Sequence, residues 1–186
     1  MSELLGGITL GGKYGGYELI NEPIISRMPQ ALATGFYQAQ EGFVGSSFDP
    51  IYLVGKQVVN GINYFVIAKQ TLILAKPIKR IVGLIINIPP VNSEDKRARI
   101  VDVVTTEEPR IPEELKGKIS EGLKGLVGAT HKPVAFIGSQ VVKGTNSYVV
   151  AESTPVVPNA EPKATLIIVN ELEGKVSVKV EDLIKE

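Results

Sequence analysis

Few side chains in this sequence are able to do covalent or metal chemistry. The 186 residues include no cysteine and one histidine, His131. A thiolate metal site and a thiol nucleophile are therefore excluded, and no cluster of histidines is available to bind a metal. The acids come as scattered pairs, typical of a solvated surface rather than of a convergent site. These pairs are Glu94 and Asp95, Glu107 and Glu108, Glu113 and Glu114, and Glu181 and Asp182. We expect a protein that is not an enzyme and uses no cofactor or metal.

Composition and charge predict a globular protein with neither a nucleic-acid nor a membrane partner. Hydrophobic residues make up 44% of the sequence and charged residues 22%, as in proteins with a packed core. Twenty Lys and Arg balance twenty Asp and Glu, so no single-sign field attracts a polyanion from a distance. The longest apolar run, residues 81–86, is far shorter than the ~20 residues of a membrane-spanning helix. The N-terminus shows no signal or transit pattern, so the expected localisation is cytoplasmic.

The sequence contains an internal duplication. Residues 29–71 align without a gap with residues 112–154, at a constant offset of 83, and 15 of the 43 pairs are identical. The alignment indicates two copies of one unit of roughly 80–100 residues, a size at which a single core can fold alone. The apolar pattern is interrupted near residues 105–109. We therefore predict two domains, residues 1–105 and residues 106–186.

Each copy changes once from a helical to an extended pattern. Apolar residues recur at steps of three and four over residues 28–43 and 111–126, which predicts an amphipathic helix of about four turns in each copy. Ser26 is the expected N-cap of the first helix, and Gly45 and Gly128 are expected to end the two helices. Strands of the first copy are predicted at 51–54, 62–68, 71–74, 81–88 and 99–104. The predicted fold class is α+β, with two tandem units that each wrap an antiparallel sheet around one N-terminal helix.

The most similar stretch of the two copies is a candidate hairpin tip. It reads Gln57-Val58-Val59-Asn60-Gly61 in the first copy and Gln140-Val141-Val142-Lys143-Gly144 in the second. Asn-Gly and Lys-Gly between extended segments predict a tight turn, because glycine accepts positive φ. A turn alone does not require two adjacent valines at its entrance, where strand alternation exposes at least one of them. An exposed apolar tip indicates a surface for a protein partner.

Together with the residues that follow, Asn63-Tyr64-Phe65 and Asn146-Ser147-Tyr148, these segments resemble the first inhibitory hairpin of the cystatins, and most closely the disulfide-free stefin branch. A single Gln-x-Val-x-Gly match is a weak signal, but here it occurs twice, each time at the same distance after an amphipathic helix. The resemblance implies a reversible, non-covalent inhibitor of papain-like cysteine proteases, with an N-terminal glycine trunk and two hairpins that enter the active-site cleft. The alternative is a non-inhibitory cystatin-like module that binds or scaffolds another protein.

The resemblance also implies the other two contact elements of the first copy. Glycine pairs stand at 6–7, 11–12 and 15–16, and Gly15 with Gly16 is closest to the stefin spacing; a disordered tail is the alternative. Ile88 and Pro89 resemble the Leu-Pro tip of the second stefin hairpin, with an ordinary strand end as the alternative. The second copy has Ala98-Arg99 in place of the glycines and an acidic turn at 170–174 in place of the proline. Only residues 140–144 of that copy keep the pattern.

The expected oligomeric state is a monomer. A hairpin held by one tight loop can open and exchange its helix-bearing half with a second protomer, which is a low-cost route to a domain-swapped dimer. Gly61 and Gly144 are the expected hinges.

Overall fold

A computed structural model describes residues 13–24 and 28–184 of the chain. The described part contains two helices and two antiparallel sheets. The elements are β1 (Lys13–Tyr14), β2 (Tyr17–Pro23), α1 (Gln30–Gln40), β3 (Ser46–Val59), β4 (Gly61–Leu72), β5 (Ile78–Ile88), β6 (Arg99–Val104), α2 (Glu113–Leu123), β7 (Ala129–Val142), β8 (Gly144–Pro155), β9 (Lys163–Leu172) and β10 (Lys175–Asp182).

In each sheet, spatial neighbours are also neighbours along the chain. The first sheet has the order β1-β2-β3-β4-β5-β6 and the second has the order β10-β9-β8-β7. Every pair is antiparallel, so the connections alternate between the two ends of a sheet. Helix α1 connects β2 to β3, and therefore enters the first sheet at the end opposite to the β3–β4 hairpin.

The two sheets pack face to face, and one helix covers the outer face of each. Helix α1 buries Leu32 and Phe36 against the first sheet, and α2 buries Leu115 and Ile119 against the second. The inner faces of both sheets form one shared apolar core. Its buried members are Tyr17, Leu19, Tyr52, Val54, Phe65, Ile67, Ile81, Ile85 and Val104 of the first sheet region and Val134, Ala135, Ile137, Tyr148, Val150, Leu166, Ile168 and Leu183 of the second.

Polar contacts also join the sheets. The buried Asn21 donates from Nδ2 to the carbonyl oxygen of Ile137 at 2.6 Å. At one end of the sandwich Lys79 contacts Glu161 at 2.5 Å, and this cation lowers the pKa of the Glu161 carboxyl. Lys79 is the second residue of β5, directly after the β4–β5 loop, and Glu161 lies in the β8–β9 loop. Both long hairpin tips, β3–β4 and β7–β8, therefore lie at the strand ends remote from this ion pair.

The predicted α+β fold class is wrong. Strands take 54% of the residues and helices 13%, so the protein is mostly antiparallel β. The prediction assumed sheets covered on one face only, whereas successive residues such as Val66, Ile67 and Ala68 are all buried. These strands pack on a helix with one face and on the other sheet with the opposite face, which produces continuous apolar runs instead of alternation.

Both helices are shorter than the apolar pattern predicted. Each has 11 residues and ends before the predicted glycine. Gly42 and Gly125 directly follow the helix C-caps, and glycine is a poor helix former. Gly45 and Gly128, with φ of 90° and 92°, instead turn the chain into β3 and β7. The predicted N-cap Ser26 lies outside the described residues, and the N-cap of α1 is Pro29.

The strand predictions also need two corrections. Residues 71–74 do not form a strand of their own, since Thr71 and Leu72 complete β4. The sequence reasoning did not anticipate β2, whose buried residues Tyr17, Leu19 and Asn21 nevertheless alternate with polar or half-buried ones. Neither helix of the described chain is long and apolar enough to span a membrane.

Candidate protein-binding edge

Three connections of the first sheet meet at one end. Because its strands are antiparallel and in chain order, the β1–β2 turn, the β3–β4 hairpin and the β5–β6 loop all lie on the same side. We call this end the tip edge; it comprises residues 15–16, 57–61 and 88–91. The three candidate contact elements of the first copy are thus adjacent along one edge of the sheet.

The first element of the tip edge is a closed turn. Gly15 and Gly16 have φ of 58° and 83°, and Tyr14 pairs with Tyr17 across them. Two consecutive positive φ values are the requirement of a two-residue hairpin turn, which glycine meets without strain. A methyl group on Gly16 would lie 2.8 Å from Nε2 of Gln57. The expected bendable trunk is therefore, at these two residues, a hairpin turn packed beside the next element.

The second element is the β3–β4 hairpin tip. Val58 pairs with Ile62 and Val59 with Gly61. Of the tip residues only Gly61 has a positive φ, 92°, the pattern of a three-residue loop rather than a two-residue Asn-Gly turn. The Val58 side chain is 79% exposed and that of Val59 44%. An apolar side chain thus projects from the end of the hairpin.

The hairpin tip packs closely against the end of β5. A methyl group on Gly61 would overlap the carbonyl oxygen of Ile88 and would also lie against Pro89. Any other residue at position 61 would therefore separate the two connections, besides being strained at this φ. The close approach makes the second and third elements one continuous surface.

An asparagine bridge holds this arrangement, and the sequence reasoning missed it. Asn87 of β5 donates from Nδ2 to Oδ1 of Asn63 at 2.8 Å and to the carbonyl oxygen of Asn60 at 3.4 Å. One side chain thereby ties β4, β5 and the hairpin tip together. The same pattern recurs in the second copy, where Asn170 donates to Asn146 at 2.7 Å and to the Lys143 carbonyl at 3.4 Å. The signal in the sequence was that Asn87 and Asn170 also stand 83 residues apart.

The third element exposes a residue that was not predicted. Ile88 is half-buried, and its side chain reaches the α1 backbone at Gly35. Pro89 and Pro90 are half-buried as well, whereas Val91 is 92% exposed at the turn that follows. The apolar contact offered by this loop is therefore Val91 rather than Ile88. It could have been found as the residue directly after the proline pair, where an aliphatic side chain precedes the polar residues 92–97.

The tip edge carries no ionisable side chain, since residues 15–16, 57–61 and 88–91 include no Asp, Glu, Lys, Arg, His or Tyr. Tyr17 lies just behind it in the shared core, and burial raises the pKa of its hydroxyl, against the opposing effect of Arg110. The surface of the tip edge is therefore uncharged at every ordinary pH, and it combines apolar valines with the polar amides of Gln57 and Asn60. It is suited to an uncharged cleft and not to acid–base chemistry.

The second sheet repeats the hairpin but not the rest of the edge. Val141 is 84% exposed and Val142 44%, nearly the values of the first copy. The neighbouring β9–β10 turn consists of Glu173 and Gly174, with φ of 51° and 76°. Next to it, Glu171 pairs with Lys118 at 2.7 Å and lies beside Gly144 and Thr145 at the base of the hairpin. The predicted tip residues Gln140, Val141, Val142, Lys143 and Gly144 therefore adjoin an ion pair and include one charged side chain, Lys143.

The second sheet also lacks an equivalent of the β1–β2 turn. Ala98 and Arg99, which stand at the positions of Gly15 and Gly16, lie at the entry to the last strand of the first sheet. The backbone N–H of Ala98 donates to Oε1 of Gln38 on α1 at 2.9 Å, and Arg99 begins β6. The described residues thus bring three elements together in the first copy and only two in the second.

No protein-family model matches the chain, and a search of curated proteins gave no match. Among the described residues, no group of three or more His, Cys, Asp or Glu is arranged to hold a metal ion.

Proposed function

We propose that the protein is a reversible, non-covalent inhibitor of papain-like cysteine proteases and that the tip edge is its contact surface. The observation that carries the proposal is the alignment of the uncharged tips of three connections (residues 15–16, 57–61 and 88–91) along one sheet edge, with Val58 and Val91 at its most exposed points. One of these connections has the sequence that resembles the first hairpin of the cystatins. An edge with uncharged tips and exposed valines is suited to insertion into a protease cleft.

The mode of inhibition follows from the chemistry of the edge. It presents turn backbone and valine side chains, and the tips offer no charged group that would have to be desolvated. An edge of this kind blocks the cleft by occupying it, so no covalent intermediate forms on the attacking sulfur. The close packing of Gly61 on Ile88 and the asparagine bridge fix the tip before binding. Pre-organisation of this kind lowers the entropic cost of association.

The test is a titration of papain with the full-length protein, monitored with a small fluorogenic peptide substrate. We expect competitive inhibition that is recovered on dilution, and no inhibition of a trypsin-like serine protease. Replacement of Val58 and Val59 together by Asp buries charge in the cleft and should abolish inhibition at the same protein concentration. Replacement of Val141 and Val142 by Asp is the matched control, because those valines have the same exposure in the second copy.

Three results would contradict the proposal. The first is undiminished inhibition by the Val58→Asp/Val59→Asp variant. The second is equal loss with the Val141→Asp/Val142→Asp control. The third is binding of the protease, measured by calorimetry, without inhibition, which would identify a binding module of another kind.

A further inference from the structure

The second half of the chain contains a cavity beside its helix. It lies between α2 and the edge strand β7, has a volume of about 510 Å³, and is walled by apolar residues that include Ile119, Leu123 and Leu126. His131 lines this cavity and also a second one of about 700 Å³ that adjoins it. The imidazole therefore stands at the boundary between two open spaces.

The first copy has an aromatic ring at two of the corresponding positions. The position of His131 is taken there by Phe48, which is 3% exposed. Its ring packs edge-on against Phe43, with ring centroids 5.5 Å apart. In the second copy Leu126 stands at the position of Phe43, so two phenyl rings are replaced by an imidazole and a leucine. The loss of ring volume leaves space beside the helix.

A row of polar side chains holds the imidazole. Nδ1 of His131 lies 2.6 Å from Oγ of Ser153, and that oxygen lies 2.6 Å from Oγ1 of Thr165. Ser153 and Thr165 are both 2% exposed, and the first copy has Gln70 and Val82 at their positions. Buried polar groups of this kind are costly unless they are hydrogen-bonded. Since the first copy folds with Phe48 and Val82, the fold itself does not require the row.

The other ring nitrogen of His131 is available for a ligand. Nε2 makes no hydrogen bond to any residue that the structure describes. Burial lowers the pKa of the His131 imidazole, so the ring is neutral at pH 7. A neutral ring held through Nδ1 leaves Nε2 as one donor or one acceptor, depending on the direction of the Ser153–Thr165 chain.

The charges around the cavity argue against an ionic ligand. Two lysines line it, and both are already paired: Lys116 with Glu113 at 2.6 Å and Lys124 with Glu121 at 2.6 Å. No carboxylate is part of the lining. A ligand that carried a net charge would lose its hydration without gaining an unpaired counter-ion.

We infer that this cavity is a binding site for an uncharged amphiphile, whose apolar body lies against α2 and whose single hydroxyl group bonds to Nε2 of His131. A hydroxyl group serves as donor or acceptor and therefore fits either state of the imidazole. The apolar walls with one convergent polar group are typical of small-molecule sites.

The test compares three small aromatic probes on the full-length protein: 2-naphthol, naphthalene and 2-naphthoate. Binding is followed by the NMR signals of the imidazole ring, which are unambiguous because the chain has one histidine. We expect 2-naphthol to shift these signals and to bind about tenfold more tightly than naphthalene, as one hydrogen bond allows. The charged 2-naphthoate should bind more weakly than both.

Two variants restore the side chains of the first copy. His131→Phe removes the hydrogen bond and should abolish the preference for 2-naphthol over naphthalene. Leu126→Phe fills the space while keeping His131, and should weaken both probes. Circular dichroism shows whether each variant is folded, and the two serve as independent tests if one is not. Equal binding of 2-naphthol and naphthalene, preference for 2-naphthoate, or binding that neither variant changes would overturn the inference.

Discussion

The two tip valines should contribute unequally to protease binding, in proportion to their exposure. Val58 is 79% exposed and Val59 44%. Truncation to alanine removes two methyl groups, each worth about 0.8 kcal/mol when transferred from water into a contact. Scaled by the exposed fraction, Val58→Ala should cost about 1.3 kcal/mol of binding free energy and Val59→Ala about 0.7 kcal/mol.

These free energies translate into separable inhibition constants. We expect a rise of about ninefold for Val58→Ala, about threefold for Val59→Ala and about thirtyfold for the double variant. The assay is a papain titration at fixed substrate, with Val141→Ala as the control because Val141 is 84% exposed outside the tip edge. A larger effect at Val59 than at Val58 would refute the argument from exposure, as would an effect of Val141→Ala equal to that of Val58→Ala.

Four further outcomes are expected. Asn87→Ala removes the bridge to the hairpin tip and should weaken inhibition about fivefold to tenfold, the worth of one or two hydrogen bonds, while Asn170→Ala leaves the inhibition constant unchanged. Active-site titration should show one protease bound per chain, because only the first sheet assembles three elements; a ratio of two would contradict this. Brief heating should produce a slowly formed dimer, detected by size-exclusion chromatography, in which two molecules exchange their helix-bearing halves at Gly61. An unchanged monomer peak would contradict the role of Gly61 as a hinge. Burial lowers the pKa of His131 from 6.5, so the unfolded state binds more protons than the folded state at acidic pH. The free energy of unfolding should therefore fall as the pH drops below 6.5. Urea denaturation at pH 8 and pH 5 should show a smaller decrease of this free energy for His131→Phe than for the wild type.

The hairpin tip was predictable because its signals are local. Glycine at position 61 marks the turn, and strand alternation requires that Val58 or Val59 faces outwards. Even so, the loop has three residues and not two, since the φ of Asn60 is not positive. The register that pairs Val58 with Ile62 leaves three residues between them, and a local dipeptide pattern does not report this register.

The parts of the edge that depend on distant contacts could not be predicted. The bridge from Asn87 to Asn63 joins residues 24 positions apart, and its geometry depends on the register of β4 and β5. The partial burial of Ile88 depends on how α1 lies over the sheet, since its side chain reaches α1 at Gly35. The prediction of the fold class was wrong for the same reason. Local patterns indicate whether a strand is apolar, but not which part of the molecule covers each of its faces.

One apolar run in the sequence does indicate a sheet that is covered on both faces. Residues 81–86 are apolar without alternation, and a strand covered on one face alone rarely has this pattern. Read as a strand buried on both faces, this run predicts a second layer against the sheet.

The shared core has the symmetry of a self-complementary pair. Tyr52, Val54, Phe65, Ile67 and Ile85 meet Ala135, Ile137, Tyr148, Val150 and Ile168, and each residue of the first set stands 83 positions before its counterpart in the second. One patch thus packs against its own copy, as in an isologous homodimer. A lone unit would expose this patch to water and would need a second molecule to cover it. Joining two copies in one chain makes that encounter intramolecular, so assembly of the sandwich should not depend on protein concentration.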